Sequence, residues 1–244
     1  MDSVGENLWG MASCGSGGKR HKKEMNQTTM EAILARDNMR EAYRAVRVNQ
    51  GAPGIDGMSV EEFGRSFARR WEVMRGKLEE GTYEPAPVLG VEIPKASGGK
   101  RLLGIPSVQD RVIQQAIHQV ISPRCEGKFS ASSYGFRPGR SAHDAVRAAR
   151  QYVAEGKCWV VDIDLKSFFD QVDHDLLMRE VRKVVPEKNV IKLIGKYLKA
   201  AMVIGEKGAN GLEALRKEGR SARCWPISTY ILWTRNWSGG SCHS

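Results

Sequence analysis

Asp162 and Asp164 lie two residues apart in "WVVDIDLKSFFDQVDHDLL", Trp159 to Leu177. In an extended segment residues i and i+2 share a face. Asp162, Asp164 and Lys166 then point one way, and Val161, Ile163 and Leu165 the other. Two carboxylates at the end of an apolar strand, before a turn, suit a hard cation. Mg²⁺ takes carboxylate oxygens together with substrate phosphate oxygens, and paired ions serve phosphoryl transfer by activating the attacking oxygen and holding the leaving one. The same aspartates also fit an exposed face of an edge strand. Asp170 and Asp173 read as turn and helix-cap residues. A two-ion site therefore needs carboxylates from a second segment.

Two basic groups could serve the same chemistry. Lys95 and Arg101 flank a hairpin turn, where they could converge on a triphosphate, lysine as a point charge and arginine as a bidentate fork. A solvated hairpin tip is the competing reading. "YGFRPGR", Tyr134 to Arg140, interleaves aromatics with Arg137 and Arg140. That pattern suits stacking and phosphate contacts on nucleic acid, and it equally suits a rigid loop with core aromatics.

The rest of the chain must position these groups. Its 244 residues suffice for one large domain or two small ones. A hydrophobic content of 41% with 27% charged residues implies that most of it folds, and a formal charge of +10 favours polyanionic partners. The five cysteines form no CxxC pair, which argues against a zinc site or a disulfide framework and fits a reducing, cytoplasmic compartment. No stretch reads as a signal peptide or a membrane span. Residues 1–28 are rich in Gly, Ser and Lys and read as a disordered basic N-terminus. Lys19, Arg20, Lys22 and Lys23 there could touch phosphates or simply be solvated.

Residues 29–48 read as one helix capped by Thr29. Ser59 and Glu62 form a capping box, followed by Val60, Phe63, Phe67, Trp71 and Met74 at helical spacing. Pro87 to Pro106 reads as a hairpin turned by Ser97-Gly98-Gly99. "QDRVIQQAIHQVI" is a helix with Val112, Ile113, Ala116, Ile117 and Val120 inward. A further helix starts near Ser141 with Asp144 as its capping-box acid. Trp159 to Leu165 reads as a buried strand. Asp173 caps the next helix, and Asn189 caps one running to about Ala201.

Four stretches, "AYRAVRVNQGAPGIDGMSVEEF", "VEIPKASGGKRLLGIPSVQDRVIQQAI", "FSASSYGFRPGRSAHDAV" and "VVDIDLKSFFDQVDHDLLM", occur in this order between about residues 38 and 200. As a set the chain resembles the bacterial group II intron reverse transcriptases, the intron-encoded maturase family. The resemblance implies an α+β, helix-rich fold: the fingers of a right-hand polymerase with an incomplete palm. Residues 29–75 would be the N-terminal helical extension, 76–145 the fingers and 146–206 part of the palm. Asp164 falls at the family's first catalytic aspartate, a Mg²⁺ ligand. Phe169 falls at the aromatic that excludes a 2′-hydroxyl. Lys95 and Arg101 fall where the fingers bind the incoming dNTP, and intron RNA and primer DNA are the implied partners. Asp162 sits beside the motif. The stretches do not fully separate this family from related bacterial reverse transcriptases, such as CRISPR-associated ones.

The family also has a GTPQGGPLSP-type stretch and a Tyr/Phe-Ala-Asp-Asp hairpin that completes the metal site. Neither occurs in the 244 residues. Instead Trp225, Trp233, Trp237, Cys224 and Cys242 crowd a tail without helical or strand periodicity. Codons permitted for Glu213 to Gly219, read from the third base of each triplet, give GGC-ACT-CCG-CAA-GGA-GGG, Gly-Thr-Pro-Gln-Gly-Gly. Permitted codons through Tyr230 continue as PLSPLLANIYL. A reading-frame break between about Ile204 and Glu213 is therefore expected, with 207–244 an out-of-frame tail. The chain by itself is expected to be inactive; an RNA-binding remnant or a non-functional pseudogene product are the alternatives. Sequencing the gene is decisive. The alternate frame should spell PQGGPLSP and, further on, Ala-Asp-Asp; a frame lacking them would end this reading.

Overall fold

The computed structural model describes residues 28–96, 98–163, 172–206 and 213–217. The helical layer begins with α1 (Met30–Leu34) and α2 (Arg36–Val48). Thr29 caps α1 through its side chain, as its type predicts. The single helix expected over 29–48 is broken at Ala35, whose ψ of 136° is extended. The long α3 (Val60–Glu79) starts at the predicted capping box: Ser59 Oγ accepts from Glu62 N at 3.2 Å and Ser59 N donates to the Glu62 carboxylate at 2.9 Å. Its apolar stripe is core. Phe63 lies edge-on to Phe67 at 5.5 Å, and Phe67 stacks on Trp71 at 5.3 Å.

The hairpin follows as β1 (Val88–Pro94) and β2 (Lys100–Ile105), antiparallel, with Gly98 and Gly99 at positive φ in the turn. Then come α4 (Val108–Glu126), α5 (Ala142–Ala154), α6 (His174–Val184) and α7 (Lys188–Lys199). Ser141 and Asp144 form the second expected capping box, and Asp173 caps α6. Asn189 departs from expectation. It lies inside α7, whose N-cap is Glu187, and its amide donates to Glu79 O at 3.0 Å. Glu187 in turn accepts Met30 N at 2.6 Å, so these two side chains serve the ends of distant helices.

Two short strands, β3 (Met202–Glu206) and β4 (Glu213–Lys217), complete a sheet of order β2-β1-β3-β4. β1 runs parallel to β3 over Val88–Gly90 and antiparallel to β2. At Gly90 an added Cβ would meet Ile204 Cγ1 at 2.9 Å, so glycine is what lets β1 lie against β3. The core sits between the helices: Ile33, Met39, Phe63, Leu78, Ile113, Ile117, Leu177 and Ile194 are fully buried. Gly54 brings the loop before α3 onto the start of α4; a Cβ there would fall 2.7 Å from Ser107 Cα.

One polar group is buried at the junction of these layers. The Asp110 carboxylate accepts the Tyr83 hydroxyl at 2.8 Å and the Tyr197 hydroxyl at 3.1 Å on one oxygen. Its other oxygen accepts Ser107 Oγ at 2.7 Å and Ala86 N at 3.1 Å. The segment leading into β1, α4 and α7 thus meet on one side chain. Burial pushes the Asp110 carboxyl above the usual carboxylate range, against the pull of these donors. The folded chain then holds this proton to a higher pH than the unfolded chain. The group's contribution to stability is full below the unfolded value and falls as pH rises to the folded one. Asp110→Ala, which removes the shared acceptor of three buried hydroxyls and a main-chain N–H, is expected to cost about 3 kcal/mol in urea unfolding. Asp110→Asn should cost less and should abolish the decline of Tm over that acidic interval.

Candidate nucleotide and nucleic-acid interface

The hairpin register decides which side chains share a face. Residues directly opposite in an antiparallel pair lie on the same side of the sheet. Ile93 faces Arg101, Val91 faces Leu103, and Leu89 faces Ile105. Lys95 N donates to Gly99 O at 3.0 Å, which continues the register by one position. Lys95, two residues beyond Ile93, therefore shares the face of Arg101. Both cations are exposed. Glu92, the one acid of the hairpin, lies on the other face and pairs with Lys100 at 2.7 Å. The two expected triphosphate contacts are thus brought to one face without a hairpin carboxylate. Beside them on that face stand Val91, Ile93 and Leu103, all partly exposed. Their place beside the cations follows from pairing the two strands residue by residue, not from residue type.

The "YGFRPGR" loop has a different internal logic from the expected one. The Arg137 side chain is 6% exposed and its fork is directed inward. It donates to the Glu126 carboxylate at 2.6 and 2.8 Å, to Ser130 O at 2.7 Å and to Ser133 O at 2.9 Å, and lies 5.0 Å above the Phe129 ring. Arg140 is half-buried, donates to Ala131 O and Ser133 O, and lies 5.2 Å above the Tyr134 ring. Both arginines therefore build the loop. Phe136, between them, is 81% exposed with φ at +56°.

The strand expected at 159–165 is not formed over its described part. Residues 157–163 carry no regular structure, and Trp159 is 97% exposed, with Val160, Val161 and Ile163 exposed beside it. No described strand lies alongside to accept its backbone hydrogen bonds, and an isolated strand is not stable in water. Asp162 is exposed there. Asp164 and Phe169 lie outside the described residues. Among those described, no group of three His, Cys, Asp or Glu side chains could hold a metal ion. The described residues thus supply no ligand set for Mg²⁺. Among the described residues no helix is long and apolar enough to cross a membrane.

Residues 93–219 match the family model described as reverse transcriptase (RNA-dependent DNA polymerase). The chain belongs to the reverse transcriptase family. The matched residues begin inside β1 and include the hairpin cations, the Arg137 loop and Asp164. Protein YkfC of Escherichia coli (strain K12) is 35% identical over 184 residues, covering 72% of this chain and 48% of that protein. The group II intron-encoded protein LtrA of Lactococcus lactis subsp. cremoris is 34% identical over 176 residues, covering 69% of this chain and 28% of LtrA. The chain thus spans about half the length of the first of these relatives and little over a quarter of the second. A solved partial Cas6-RT-Cas1–Cas2 complex matches with a TM-score of 0.53 at 20% identity, over 93% of this chain and 37% of that one. This likeness extends to the fold, α+β and helix-rich with a small sheet.

Within this family member the geometry makes Arg137 a strut of its loop. Arg137→Ala is expected to lower stability by about 2–3 kcal/mol in urea unfolding, since it removes the buried guanidinium that bridges Glu126, Ser130 O and Ser133 O. Arg137→Lys should recover little of this, because one ammonium cannot replace a planar fork.

Proposed function

We propose that this chain is the fingers and the opening of the palm of an RNA-directed DNA polymerase of group II intron type. In this reading residues 29–75 form the N-terminal extension, 76–145 the fingers and 146–206 part of the palm. The observation that carries it is the placement of Lys95 and Arg101 on one acid-free hairpin face inside the family-matched residues. A triphosphate there gains a point charge and a bidentate fork, and the neighbouring apolar side chains offer a surface for the base or sugar. Asp164 is proposed as a catalytic Mg²⁺ ligand and Phe169 as the residue set against a 2′-hydroxyl. Arg140 is proposed as a nucleic-acid contact, with Arg137 behind it. Intron RNA and primer DNA are the proposed polymer partners, dNTP the monomer, and the cytoplasm the place.

The out-of-frame reading of residues beyond about 206 belongs to the same proposal. The family match itself runs to residue 219, past the range of 204–213 in which the break is placed. Only one of the family's three metal-site carboxylates is assigned, so the 244 residues are proposed to bind without polymerising. Mg²⁺-dependent primer extension by the purified chain would overturn that part.

Binding of a fluorescent dNTP tests the hairpin assignment. Arg101→Ala and Lys95→Ala should each weaken it about tenfold, as expected for loss of one charge-assisted contact, with melting temperatures unchanged. Wild-type affinity in both variants would remove the hairpin from the site.

A further inference from the structure

Phe136 combines two costs. Its φ of +56° places a bulky side chain in the left-handed region that favours glycine, and its ring is 81% exposed to water. The two residues that flank the tripeptide Phe136–Pro138 are Gly135 and Gly139, the second with φ at +70°. A flexible loop would relax both costs. This one is held from beneath. Arg137 ties it to Glu126, Ser130 and Ser133, Arg140 ties it to Ala131 and Ser133, and Arg140 N returns to Arg137 O at 3.3 Å. The buried guanidinium directly after Phe136 fixes the backbone that turns the ring outward.

The surroundings indicate what the ring meets. A protein-docking face is a broad apolar patch, whereas this is one planar ring between glycines and a proline. From Lys128 to Ser141 the chain carries Lys128, Arg137 and Arg140 and no carboxylate. Glu126 neutralises Arg137, which leaves Lys128 and Arg140 as the positive charge of the loop; a flat aromatic surface beside them matches an unpaired nucleobase, whose faces are aromatic and whose backbone is anionic. We propose that Phe136 is a stacking platform for one base of single-stranded RNA, with the arginine-braced loop holding the ring in its strained, outward position. This rests on the nucleic-acid-binding reading above and assigns a base contact within it.

The test compares a short single-stranded RNA oligonucleotide with an abasic strand of equal length, using the full chain. Phe136→Ala should bind the RNA about tenfold more weakly, in line with the loss of one stacked base, and the abasic strand as tightly as wild type. The slope of log affinity against log salt should be unchanged, since no phosphate contact is lost. Phe136→Trp should keep the affinity, and its fluorescence should be quenched by RNA but not by the abasic strand. Phe136→Gly should bind as weakly as Phe136→Ala yet melt at or above the wild-type temperature, because glycine relieves the left-handed strain. Equal RNA affinity of wild type and Phe136→Ala would overturn the stacking role alone. So would an equal loss on the abasic strand, or a lower melting temperature for Phe136→Gly, which would place the ring against protein. A wild-type chain that binds neither strand would overturn the underlying reading as well.

Discussion

The architecture depends on one buried carboxylate. Asp110 sits in the first turn of α4, with its backbone N–H received by Ser107, and its two oxygens collect donors from three separate segments. An ion taken out of water costs several kcal/mol unless its lone pairs are filled. Here they are filled by two tyrosine hydroxyls, a serine and a main-chain N–H. Further bonds tie the same segments together. Tyr83 also accepts Gln109 Nε2 at 2.9 Å, and Lys196, one residue before Tyr197, donates to Tyr83 O at 2.6 Å. Displacing the lead-in to β1 would therefore unpair groups on α4 and α7 together. The direction of the hairpin follows from that lock.

A second lock of the same kind operates in the Arg137 loop, with signs reversed. There a buried cation gathers carbonyl oxygens and one carboxylate. Together the two sites show how a strongly basic chain orders its irregular segments: the few buried charges act as nodes, and most other charges lie on the surface. The basic surface this leaves is consistent with a chain whose family acts on polyanions.

What could be read from the sequence divides by range. The capping boxes at Ser59 and Ser141, the cap at Asp173 and the hairpin about Gly98-Gly99 depend on neighbours three or four residues away, and all are found in place. The four family stretches were equally legible, because they are ordered motifs. The Asp110 cluster was not, since its partners lie up to 87 residues away and a single aspartate in a helix's first turn looks like a cap. Arg137 looked like a phosphate ligand because composition marks charge but not the direction of a side chain. Asn189 lost its expected capping role to Glu187 through contacts with α1 and the end of α3, again beyond local reach. The apolar run at 159–163 reads as a buried strand from its residue types, yet a strand exists only where another edge receives it.

The glycine pair at the base of the hairpin has a mechanical consequence. Gly90 and Gly104 face one another across β1 and β2, and Gly90 is also the last residue of β1 in register with β3. Beyond that line the hairpin is a two-stranded cantilever, fixed at its root and thinnest where both strands lack side chains. From Gly90 to Lys95 the arm is about 16 Å long at about 3.3 Å per residue, so a bend of about 10° at the root carries its tip through about 3 Å. Lys95 and Arg101 ride near that tip, a contact's width of travel away from whatever lies opposite them.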